Sequence, residues 1–314
     1  MINADFLKHI KGIQDLEISE NFDMRKKSTL GLISVAKVFI RIKTEPALVS
    51  LIEVLNNFKM EYFVIGKGSN IVLPEHINCP VLQLSLDGFS DELDSIKNFY
   101  ELPANTPINV MTGKAIKYGL KGWEVFTGIP ATLGGAIWMN AGTSLGEIGR
   151  LIKSVKILRK NGELVTYSIT KNDFSYRKNN FLNEGDIIVS AVIYHEGVDK
   201  NIPKVIIDYL KKRSSTQPLT KRTCGCTFKN TAIYPDGETK SCIAGKIIDI
   251  IGLKGTNYKD LVVSLVHGNF IENHGEATQD DFLNFIENIN SRIEKSYGYK
   301  LEMEAIVYRN DSCE

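Results

Sequence analysis

The sequence predicts an α+β protein with two or three domains. Its 314 residues are more than a single hydrophobic core comfortably accommodates. Stretches with apolar residues at helical spacing alternate with short strand-like runs, and an Asn-Gly pair between two such runs is typical of a β-hairpin. Changes of residue pattern near positions 80 and 200 divide the chain into a first subdomain (1–80), a second subdomain (81–200) and a C-terminal domain (201–314).

The first subdomain contains a small βαβ unit that ends in a glycine loop. Residues 35–42 (VAKVFIRI) predict a strand, and residues 45–58 predict a helix with Thr44 as its N-cap. A second strand, predicted at 62–65, continues directly into the loop Gly66-Lys67-Gly68-Ser69-Asn70. This succession of segments is typical of a βαβ unit.

The rest of the chain is a series of short strands and helices. In the second subdomain we predict strands at 81–84, 98–102, 154–159, 164–168 and 186–194 and a helix at 107–118. In the C-terminal domain we predict helices at 203–213, 241–251 and 279–296 and strands at 261–266 and 301–308. Asn161-Gly162 is the hairpin signal, and Gly252 is the expected C′ residue of the helix at 241–251.

Composition and charge exclude several classes of function. The 43% apolar and 24% charged residues are those of an ordinary soluble globular protein. A formal net charge of +1 gives no electrostatic reason to expect nucleic acid or an anionic membrane as a partner. No run approaches the roughly 18 apolar residues of a membrane span, and the first twenty residues are polar. We therefore expect a cytoplasmic protein that acts on small molecules.

The cysteines and histidines form no pattern that would hold a metal or a disulfide framework. The five cysteines are an odd number without a CxxC pair, and the five histidines are not at ligand spacing. We therefore expect no metal site. The residues concerned are Cys79, Cys224, Cys226, Cys242, Cys313, His9, His76, His195, His267 and His274.

The glycine loop at 66–70 is the first candidate binding site. Its two glycines allow successive backbone N–H groups to converge on an anion, and Ser69 and Asn70 add side-chain donors. A phosphate or pyrophosphate is the natural ligand, and a plain turn is the alternative. The loop lacks the GxxxxGK[ST] pattern of a Walker loop, and Ile71 occupies the position of the third glycine of GxGxxG.

A second glycine-rich stretch, residues 122–142, reads GWEVFTGIPATLGGAIWMNAG. A glycine inside a helix costs roughly 1 kcal/mol relative to alanine, so five glycines among apolar residues indicate a need for bare backbone. Either a tight buried turn or a flat ligand lying against the main chain meets that need. Composition alone leaves both interpretations open.

Three later features combine reactive side chains. Tyr176-Arg177 lies in an aromatic and basic stretch, Cys226 precedes Phe-Lys-Asn at 228–230, and Glu302 and Glu304 share one face of the strand predicted at 301–308. Each feature also has a purely structural interpretation. Arg177 could form a surface ion pair, Cys226 could be a small buried thiol, and the two glutamates could lie on a solvated strand face.

Taken in order, these segments resemble the motifs of the UDP-N-acetylenolpyruvoylglucosamine reductase family, which are flavoenzymes of peptidoglycan synthesis. The similarity spans roughly residues 20 to 310. The motifs are GKGSN (66–70), GIPATLGGAIWMNAG (128–142), YRKNNF (176–181), RSSTQP (213–218), GCTFKN (225–230), AGKIIDIIGLKG (244–255), HGNFIEN (267–273) and LEMEA (301–305).

This resemblance implies an FAD-binding fold of the vanillyl-alcohol-oxidase type, made of two α+β subdomains, followed by a C-terminal α+β substrate-binding domain. It implies that NADPH reduces FAD, which then reduces the enolpyruvyl ether of UDP-N-acetylglucosamine to UDP-N-acetylmuramate. The first glycine stretch would hold the FAD pyrophosphate, and the second would pass beside the flavin. The implied cofactor-binding residues are Gly66, Lys67, Gly68, Ser69, Asn70, Gly128, Ile129, Pro130, Gly134, Gly135, Asn140, Ala141 and Gly142.

The resemblance also implies the catalytic residues. Arg177 and Glu304 match the residues that stabilise the enolate, Glu304 as a protonated donor if burial raises its pKa, whereas Glu302 would be structural. Cys226 occupies the position of the family's usual serine proton donor, and its unperturbed pKa near 8.5 makes it a better acid than a hydroxyl. Tyr176, Lys229 and Asn230 match substrate-binding positions.

This chain departs from the usual motifs at four positions. They are Lys67 and Ala131 in place of glycine, Cys226 in place of serine, and Thr231 in place of proline. Cys224 is close enough in sequence to Cys226 to be a resolving thiol. The interval from Arg177 to Cys226 shows no extra lobe or long loop, so the chain resembles the branch of the family without the tyrosine-bearing capping loop. We also expect a monomer. The alternatives are an FAD-dependent oxidase of the same fold and a turnover-deficient flavin or nucleotide-sugar binding protein.

Overall fold

The structure is a computed structural model that describes residues 2–230 and 243–310. Thr231, Cys242, Cys313 and the start of the helix predicted at 241–251 lie outside the described residues. The helices are α1 Ala4–Lys11, α2 Glu45–Asn57, α3 Phe89–Glu92, α4 Ile108–Tyr118, α5 Leu133–Trp138, α6 Ile202–Thr216, α7 Ala244–Ile250 and α8 Gln279–Tyr297. In these described ranges, no helix has the length and apolar character needed to cross a membrane.

The strands of the C-terminal part have two or three residues, and the longest strands lie in the two four-stranded sheets. They are β1 Leu16–Asp23, β2 Val35–Ile42, β3 Phe63–Val64, β4 Ile71–Val72, β5 His76–Leu84, β6 Phe99–Pro103, β7 Gly142–Thr143, β8 Gly146–Glu147, β9 Ile152–Leu158, β10 Leu164–Ser168, β11 Phe174–Ser175, β12 Lys178–Asn179, β13 Ile187–Tyr194, β14 Asn257–Tyr258, β15 Leu261–Val263, β16 Ile271–Asn273 and β17 Ile306–Val307. One-turn 3-10 helices occur at Met24–Lys27, Trp123–Phe126 and Ile148–Leu151.

The first sheet confirms the predicted βαβ unit. Its order is β1-β2-β5-β3, in which β2 and β3 both run parallel to β5 and β1 is antiparallel to β2. Helix α2 connects β2 to β3 and begins where predicted, because the hydroxyl of Thr44 accepts a hydrogen bond from the N–H of Ala47. Strand β5 runs across residue 80, so this sheet extends past the proposed boundary.

The sequence interpretation missed α1 and β1 at the start of the chain. Helix α1 buries Phe6 and Ile10 against α2. Strand β1 is an edge strand with no fully buried residue, so its alternation of apolar and polar residues is weak.

The second sheet is antiparallel, with the order β10-β9-β13-β6. Leu158 pairs with Leu164 across the predicted Asn-Gly hairpin, where Gly162 has φ +88°. Helices α4 and α5 and the buried aromatic residues Trp123 and Phe126 pack on one core with this sheet.

The C-terminal part packs α7 and α8 against the three-stranded sheet β14-β15-β16. Helix α8 opens with a capping box in which Thr278 and Asp281 exchange side-chain and backbone hydrogen bonds. Its buried residues Phe282 and Phe285 share a core with Phe228. Phe228 therefore anchors the segment that carries Cys226 in this core.

The strand predicted at 301–308 is wrong in its extent. Only β17 (Ile306–Val307) is a strand, and it pairs in parallel with β4 of the first subdomain, while Met303 forms an isolated bridge with Phe228. Glu302 and Glu304 therefore do not share one environment. The side chain of Glu302 is 67% exposed and that of Glu304 is 9% exposed. The segment is a connection between two domains, and each residue contacts a different neighbour.

Candidate active site

In the loop at residues 66–70, the carbonyl oxygens of Gly66, Gly68 and Asn70 point toward neighbouring segments of the chain. Each of these oxygens accepts a hydrogen bond from another segment, whereas the N–H groups of residues 67–70 donate to no other group in the described chain. A row of N–H groups without partners fits an anion such as the FAD pyrophosphate. The bonds are Gln83 Nε2 to Gly66 O at 2.9 Å, Thr29 N to Gly68 O at 3.0 Å and Ile306 N to Asn70 O at 3.0 Å.

The two glycine-rich stretches meet at Gly66 and Thr132. A Cβ atom on Gly66 would stand 2.6 Å from Oγ1 of Thr132, which is the N-cap of α5. Only glycine allows this approach without displacement. The side chain of Lys67 is exposed and makes no ion pair among the described residues. The proposed pyrophosphate loop and the second glycine stretch thus form adjoining surfaces.

Part of the glycine content of residues 122–142 has a cause within the protein. The N–H of Gly134 donates to the carbonyl of Ala104 at 2.8 Å, and a Cβ on Gly134 would stand 2.8 Å from the Cβ of Ala104. The side chain of Asn140 is 1% exposed and bonds Glu147 and the backbone of Ser175. Close packing within the protein, which is neither of the two interpretations left open by the sequence, therefore explains the glycine at position 134, and the amide of Asn140 has its partners within the protein.

The other predicted cofactor residues of this stretch differ in exposure. Ile129 and Ala141 are buried, whereas Pro130 and Gly135 are exposed. Gly128 has φ +74° and lies beside the guanidinium of Arg213. Residues 128–142 thus include both buried and solvent-exposed positions.

Arg177 and Glu304 form a largely buried ion pair between the β11–β12 hairpin and the C-terminal segment. Nε of Arg177 donates to Glu304 Oε1 at 2.7 Å, and Nη2 donates to the carbonyl of Gly142 at 3.1 Å. Arg177 has φ +55°, an uncommon conformation for a residue with a side chain, in the turn between β11 and β12. The amide of Asn70 donates to the carbonyl of Glu304 at 3.1 Å. The glycine loop, the hairpin and the C-terminal segment converge on this pair.

Burial dominates the electrostatics of this pair. Burial raises the pKa of Glu304, and the charge and hydrogen bond of Arg177 offset part of that rise. Burial also lowers the pKa of Arg177, but the charge and hydrogen bond of Glu304 outweigh it, so the pKa of Arg177 is raised. Arg177 therefore stays charged, and Glu304 is more readily protonated than an exposed glutamate.

The thiol of Cys226 lies within the electrostatic influence of the same pair. Burial and, to a smaller extent, the charge of Glu304 raise the pKa of Cys226 to about 11, although Arg177 and Arg213 act in the opposite direction. The expected pKa near 8.5 is therefore corrected upward, because the thiolate loses hydration and faces a carboxylate. Burial raises the pKa of Cys224 to about 12. Both thiols stay protonated at neutral pH, which disfavours Cys224 as a resolving thiol.

Main-chain pairing aligns Cys226 with Glu304. The N–H of Glu304 donates to Thr227 O at 2.8 Å, and the N–H of Lys229 donates to Glu302 O at 2.8 Å. The side chain of Asn269 also binds this segment, at the backbone of Phe228. Its Oδ1 accepts from the N–H of Phe228 and its Nδ2 donates to the carbonyl of Phe228, both at 2.8 Å. Sequence reasoning included Asn269 in the motif HGNFIEN but gave it no role.

The three predicted substrate-binding residues surround this segment. The hydroxyl of Tyr176 accepts a hydrogen bond from the N–H of Asn230 at 3.4 Å, and its ring lies 4.8 Å from the guanidinium carbon of Arg177. The amine of Lys229 pairs with the exposed carboxylate of Glu302. Oδ1 of Asn230 accepts from the N–H of Ala244 at the start of α7. Tyr176 is thus the most direct neighbour of the ion pair.

Arg213 is a further charged group at the site, to which sequence reasoning assigned no role. Its Nη1 donates to the carbonyl of Gly128 at 2.7 Å, and its Nε donates to Gln217 at 2.9 Å. Among residues 2–230 and 243–310, no carboxylate lies within ion-pair distance of it. It lies on α6, and the motif RSSTQP was the only signal for it.

The described residues contain no group of three or more His, Cys, Asp or Glu side chains that could hold a metal ion. The absence of a metal remains a prediction. The donors available at the site are instead backbone N–H groups, two arginines and a thiol. These groups fit an anionic organic cofactor and an anionic substrate rather than a cation.

Two protein-family models match the chain. Residues 36–168 match an FAD binding domain, and residues 217–308 match the C-terminal domain of UDP-N-acetylenolpyruvoylglucosamine reductase. The predicted FAD-binding fold with an additional C-terminal domain is confirmed. The first match contains both glycine-rich stretches, and the second contains Cys226 and Glu304.

Similarity to whole proteins extends over nearly the full chain. The chain is 32% identical to the UDP-N-acetylenolpyruvoylglucosamine reductase of Clostridioides difficile (strain 630), covering 97% of each chain. It is 33% identical to the reductase of Chlamydia pneumoniae, covering 90% of this chain and 88% of that protein. The crystal structure of the Thermus caldophilus reductase matches with a TM-score of 0.74 and 29% identity, covering 94% of this chain and 99% of that chain. The chain belongs to the UDP-N-acetylenolpyruvoylglucosamine reductase family of FAD-containing enzymes.

Proposed function

We propose that this protein reduces the enolpyruvyl ether of UDP-N-acetylglucosamine to UDP-N-acetylmuramate, with NADPH as the reductant. The observation that carries the proposal is the largely buried pair of Arg177 and Glu304 beside the protonated thiol of Cys226. The substrate gains a hydride at C3 and a proton at C2, and negative charge develops on its carboxylate. The pair and the thiol supply the charge stabilisation and the proton that this chemistry needs.

The FAD is held by the two glycine-rich stretches. The N–H groups of residues 67–70 would bind the pyrophosphate, and residues 128–142 would line the site of the ring system. This placement is supported by the unpaired N–H groups of the loop and by its contact with Thr132. When bound, FAD supplies hydride transfer from NADPH to the substrate.

Arg177 binds the substrate carboxylate and stabilises the charge that develops on it. Its Nε and Nη2 are committed to Glu304 and Gly142, which fixes the plane of the guanidinium. A fixed guanidinium requires little rearrangement as charge develops. Glu304 holds this plane, and its raised pKa allows it to act as a protonated donor when an anionic substrate is close.

Cys226 donates the proton to C2. Its pKa of about 11 keeps the proton on sulfur at neutral pH, so the donor is present in the correct state. The thiolate that remains after transfer is stabilised by Arg177 and Arg213, the two charges that lower this pKa. Tyr176, Lys229 and Asn230 contact the nucleotide sugar around this centre.

Separating the two half-reactions of the Cys226→Ala variant tests this assignment. Under anaerobic conditions, NADPH should bleach the flavin of the variant within twofold of the normal rate, because Cys226 takes no part in that step. Reoxidation by the enolpyruvyl nucleotide sugar should slow about 1,000-fold, the magnitude typical of a lost general acid. Cys226→Ser should recover part of the rate.

Cys224→Ala is the matched control, because Cys224 is a second buried thiol two residues away. It should retain both half-reactions within threefold. If Cys226→Ala reoxidises at the normal rate, the assignment of the proton donor is wrong. A flavin that is reduced by an alcohol rather than by NADPH would instead indicate the oxidase alternative, and a flavin that no donor reduces would indicate a binding protein.

Three further expectations belong to this proposal. The chain acts as a monomer in the cytoplasm, and its partners are the nucleotide-sugar substrate and NADPH. The domains divide near residues 80 and 200, with the first boundary displaced to the end of strand β5 at Leu84. The chain belongs to the branch without a tyrosine-bearing capping loop.

A further inference from the structure

The carbonyl of Gly66 is held in place by a side chain from the neighbouring strand. Strand β3 runs parallel to β5, with Val64 paired to Leu82, so the loop that follows β3 begins beside Gln83. Nε2 of Gln83 donates to the carbonyl of Gly66 at 2.9 Å. The orientation of the first peptide of the loop therefore depends on Gln83.

Lys27 fixes the orientation of that glutamine. Its amine donates to Oε1 of Gln83 at 2.8 Å and lies 4.9 Å from the ring centre of Phe39 and 5.8 Å from that of Phe22. The two rings stack at 4.4 Å and support the cation. An ammonium group is only a donor, so it selects the orientation in which the glutamine oxygen faces Lys27 and the NH₂ group faces Gly66.

Lys27 has no carboxylate partner among the described residues, although it is half-buried. Burial lowers its pKa, and the charge of Arg41 lowers it further. A half-buried cation without a counter-ion adds little to stability by itself. The main chain two residues after Lys27 bonds the loop directly, because the N–H of Thr29 donates to the carbonyl of Gly68 at 3.0 Å.

The orientation of the Gly66 carbonyl determines where the next N–H group points. The peptide unit is planar and trans, so the carbonyl of Gly66 and the N–H of Lys67 point in opposite directions. With the carbonyl directed at Gln83, the N–H of Lys67 is directed away from it, on the side where the loop has unpaired donors.

We propose that Lys27 is a positioning residue for the cofactor, which acts through Gln83 to hold the Gly66–Lys67 peptide in the orientation that binds the FAD pyrophosphate. The inference rests on the proposed placement of FAD at residues 66–70. This role requires no contact between the cofactor and Lys27 or Gln83, and neither residue lies in any motif that identified the family. Their contribution is to preorganise one donor before FAD arrives.

The FAD dissociation constant of reconstituted apoprotein tests this role, measured by quenching of flavin fluorescence. Lys27→Met keeps the length of the side chain but removes the donor, so the dissociation constant should rise about tenfold. Gln83→Met should have the same effect. The double variant should bind no more weakly than either single variant, because both changes break the same relay. Lys27→Arg should remain within threefold of the normal value.

Lys26→Met, a change at the exposed neighbouring lysine, is the matched control and should leave FAD binding unchanged. The melting temperature of each apoprotein separates positioning from folding, and it should shift by less than about 3 °C in the single variants. A Lys27→Met protein with normal FAD affinity overturns the inference. Losses that multiply in the double variant also overturn it, because they show two independent effects.

Variants of the loop itself distinguish failure of this inference from failure of the FAD placement. Gly66→Ala should weaken FAD binding strongly, because its methyl group would collide with Thr132. Ser69→Ala is a milder loop variant that serves if Gly66→Ala does not fold. If loop variants weaken binding and Lys27→Met does not, only the role of Lys27 is wrong. If folded loop variants bind FAD normally, residues 66–70 do not hold the pyrophosphate and both proposals fail.

Discussion

At the scale of single residues, the replacement of an alcohol by a thiol shapes the chemistry of this site. A thiol is the stronger acid in water, but burial and the charge of Glu304 raise the pKa of Cys226 to about 11. Part of the greater acidity of the thiol relative to an alcohol is therefore lost. What remains is a donor that is fully protonated at neutral pH and whose conjugate base faces two arginines.

The pH dependence of thiolate formation follows from the direction of this shift. A raised pKa favours the protonated thiol, so Cys226 should stay protonated below about pH 10 and ionise only near pH 11. Thiolate absorbance at 240 nm, recorded as the difference between the parent protein and Cys226→Ser, should show no step between pH 7 and pH 9.5. The same difference for Cys224→Ser serves as the control, because the pKa of Cys224 is also raised. A step near pH 8 would contradict the described environment of Cys226.

At the scale of elements, the site depends on residues 226–230, which belong to no helix or strand and form only an isolated bridge. Residues 226–230 and 302–304 pair through two backbone hydrogen bonds and one bridge, and Asn269 holds Phe228 from the other side. Asn269 is 1% exposed and satisfies both backbone groups of Phe228. It thus fixes the chain two residues from Cys226.

Replacing Asn269 by alanine should damage both stability and turnover. Two backbone groups lose their partner in a buried place, which costs about 2–4 kcal/mol of unfolding free energy. Movement of the segment should lower the rate of flavin reoxidation about tenfold or more. Urea denaturation and stopped-flow absorbance measure the two effects.

Asn290→Ala is the matched control for this prediction. Asn290 is also buried and bonds both backbone groups of one residue, Leu301, at 3.1 and 2.9 Å. The control should lose similar stability but retain more of the reoxidation rate, since its partner Leu301 lies three residues before Glu304, whereas the partner of Asn269 lies in the segment that carries Cys226. Equal losses of rate in both variants would mean that Asn269 has only a general structural role.

The sequence predicted the regular elements better than the connections between them. Strand β2, helix α2 and the hairpin of β9 and β10 have strong periodicity or clear turn residues, and they occur as predicted. Strand β1 has weak alternation because it is an edge strand. The role of Asn269 is not visible in the sequence, because its partner Phe228 is 41 residues away.

At the scale of the whole molecule, distant segments meet at one ion pair. Strand β17 pairs with β4, which directly follows the glycine loop, and the side-chain amide of Asn70 donates to the carbonyl of Glu304, so the C-terminal segment is tied to that loop. Arg177 reaches the same point from the turn between β11 and β12 and also bonds the carbonyl of Gly142. These contacts bring the proposed cofactor loop and the proposed catalytic groups together.

The family was predictable because eight short motifs occur in order along the chain, although each has a structural alternative when taken alone. The site was predictable only in part. The pairing of Arg177 with Glu304 brings together residues 127 positions apart, and only the family resemblance suggested it. The pKa of Cys226 depends on burial among three charged side chains, which a sequence does not display.

The measurement that tests the central claim most directly follows the flavin absorbance of the purified holoprotein near 450 nm. NADPH is added anaerobically, and the enolpyruvyl ether of UDP-N-acetylglucosamine is added after the absorbance has fallen. The account predicts full bleaching by NADPH and full recovery on addition of the substrate, with one UDP-N-acetylmuramate formed per flavin. UDP-N-acetylglucosamine, which lacks the enolpyruvyl group, should give no recovery. Bleached flavin that the enolpyruvyl substrate leaves reduced would contradict the account.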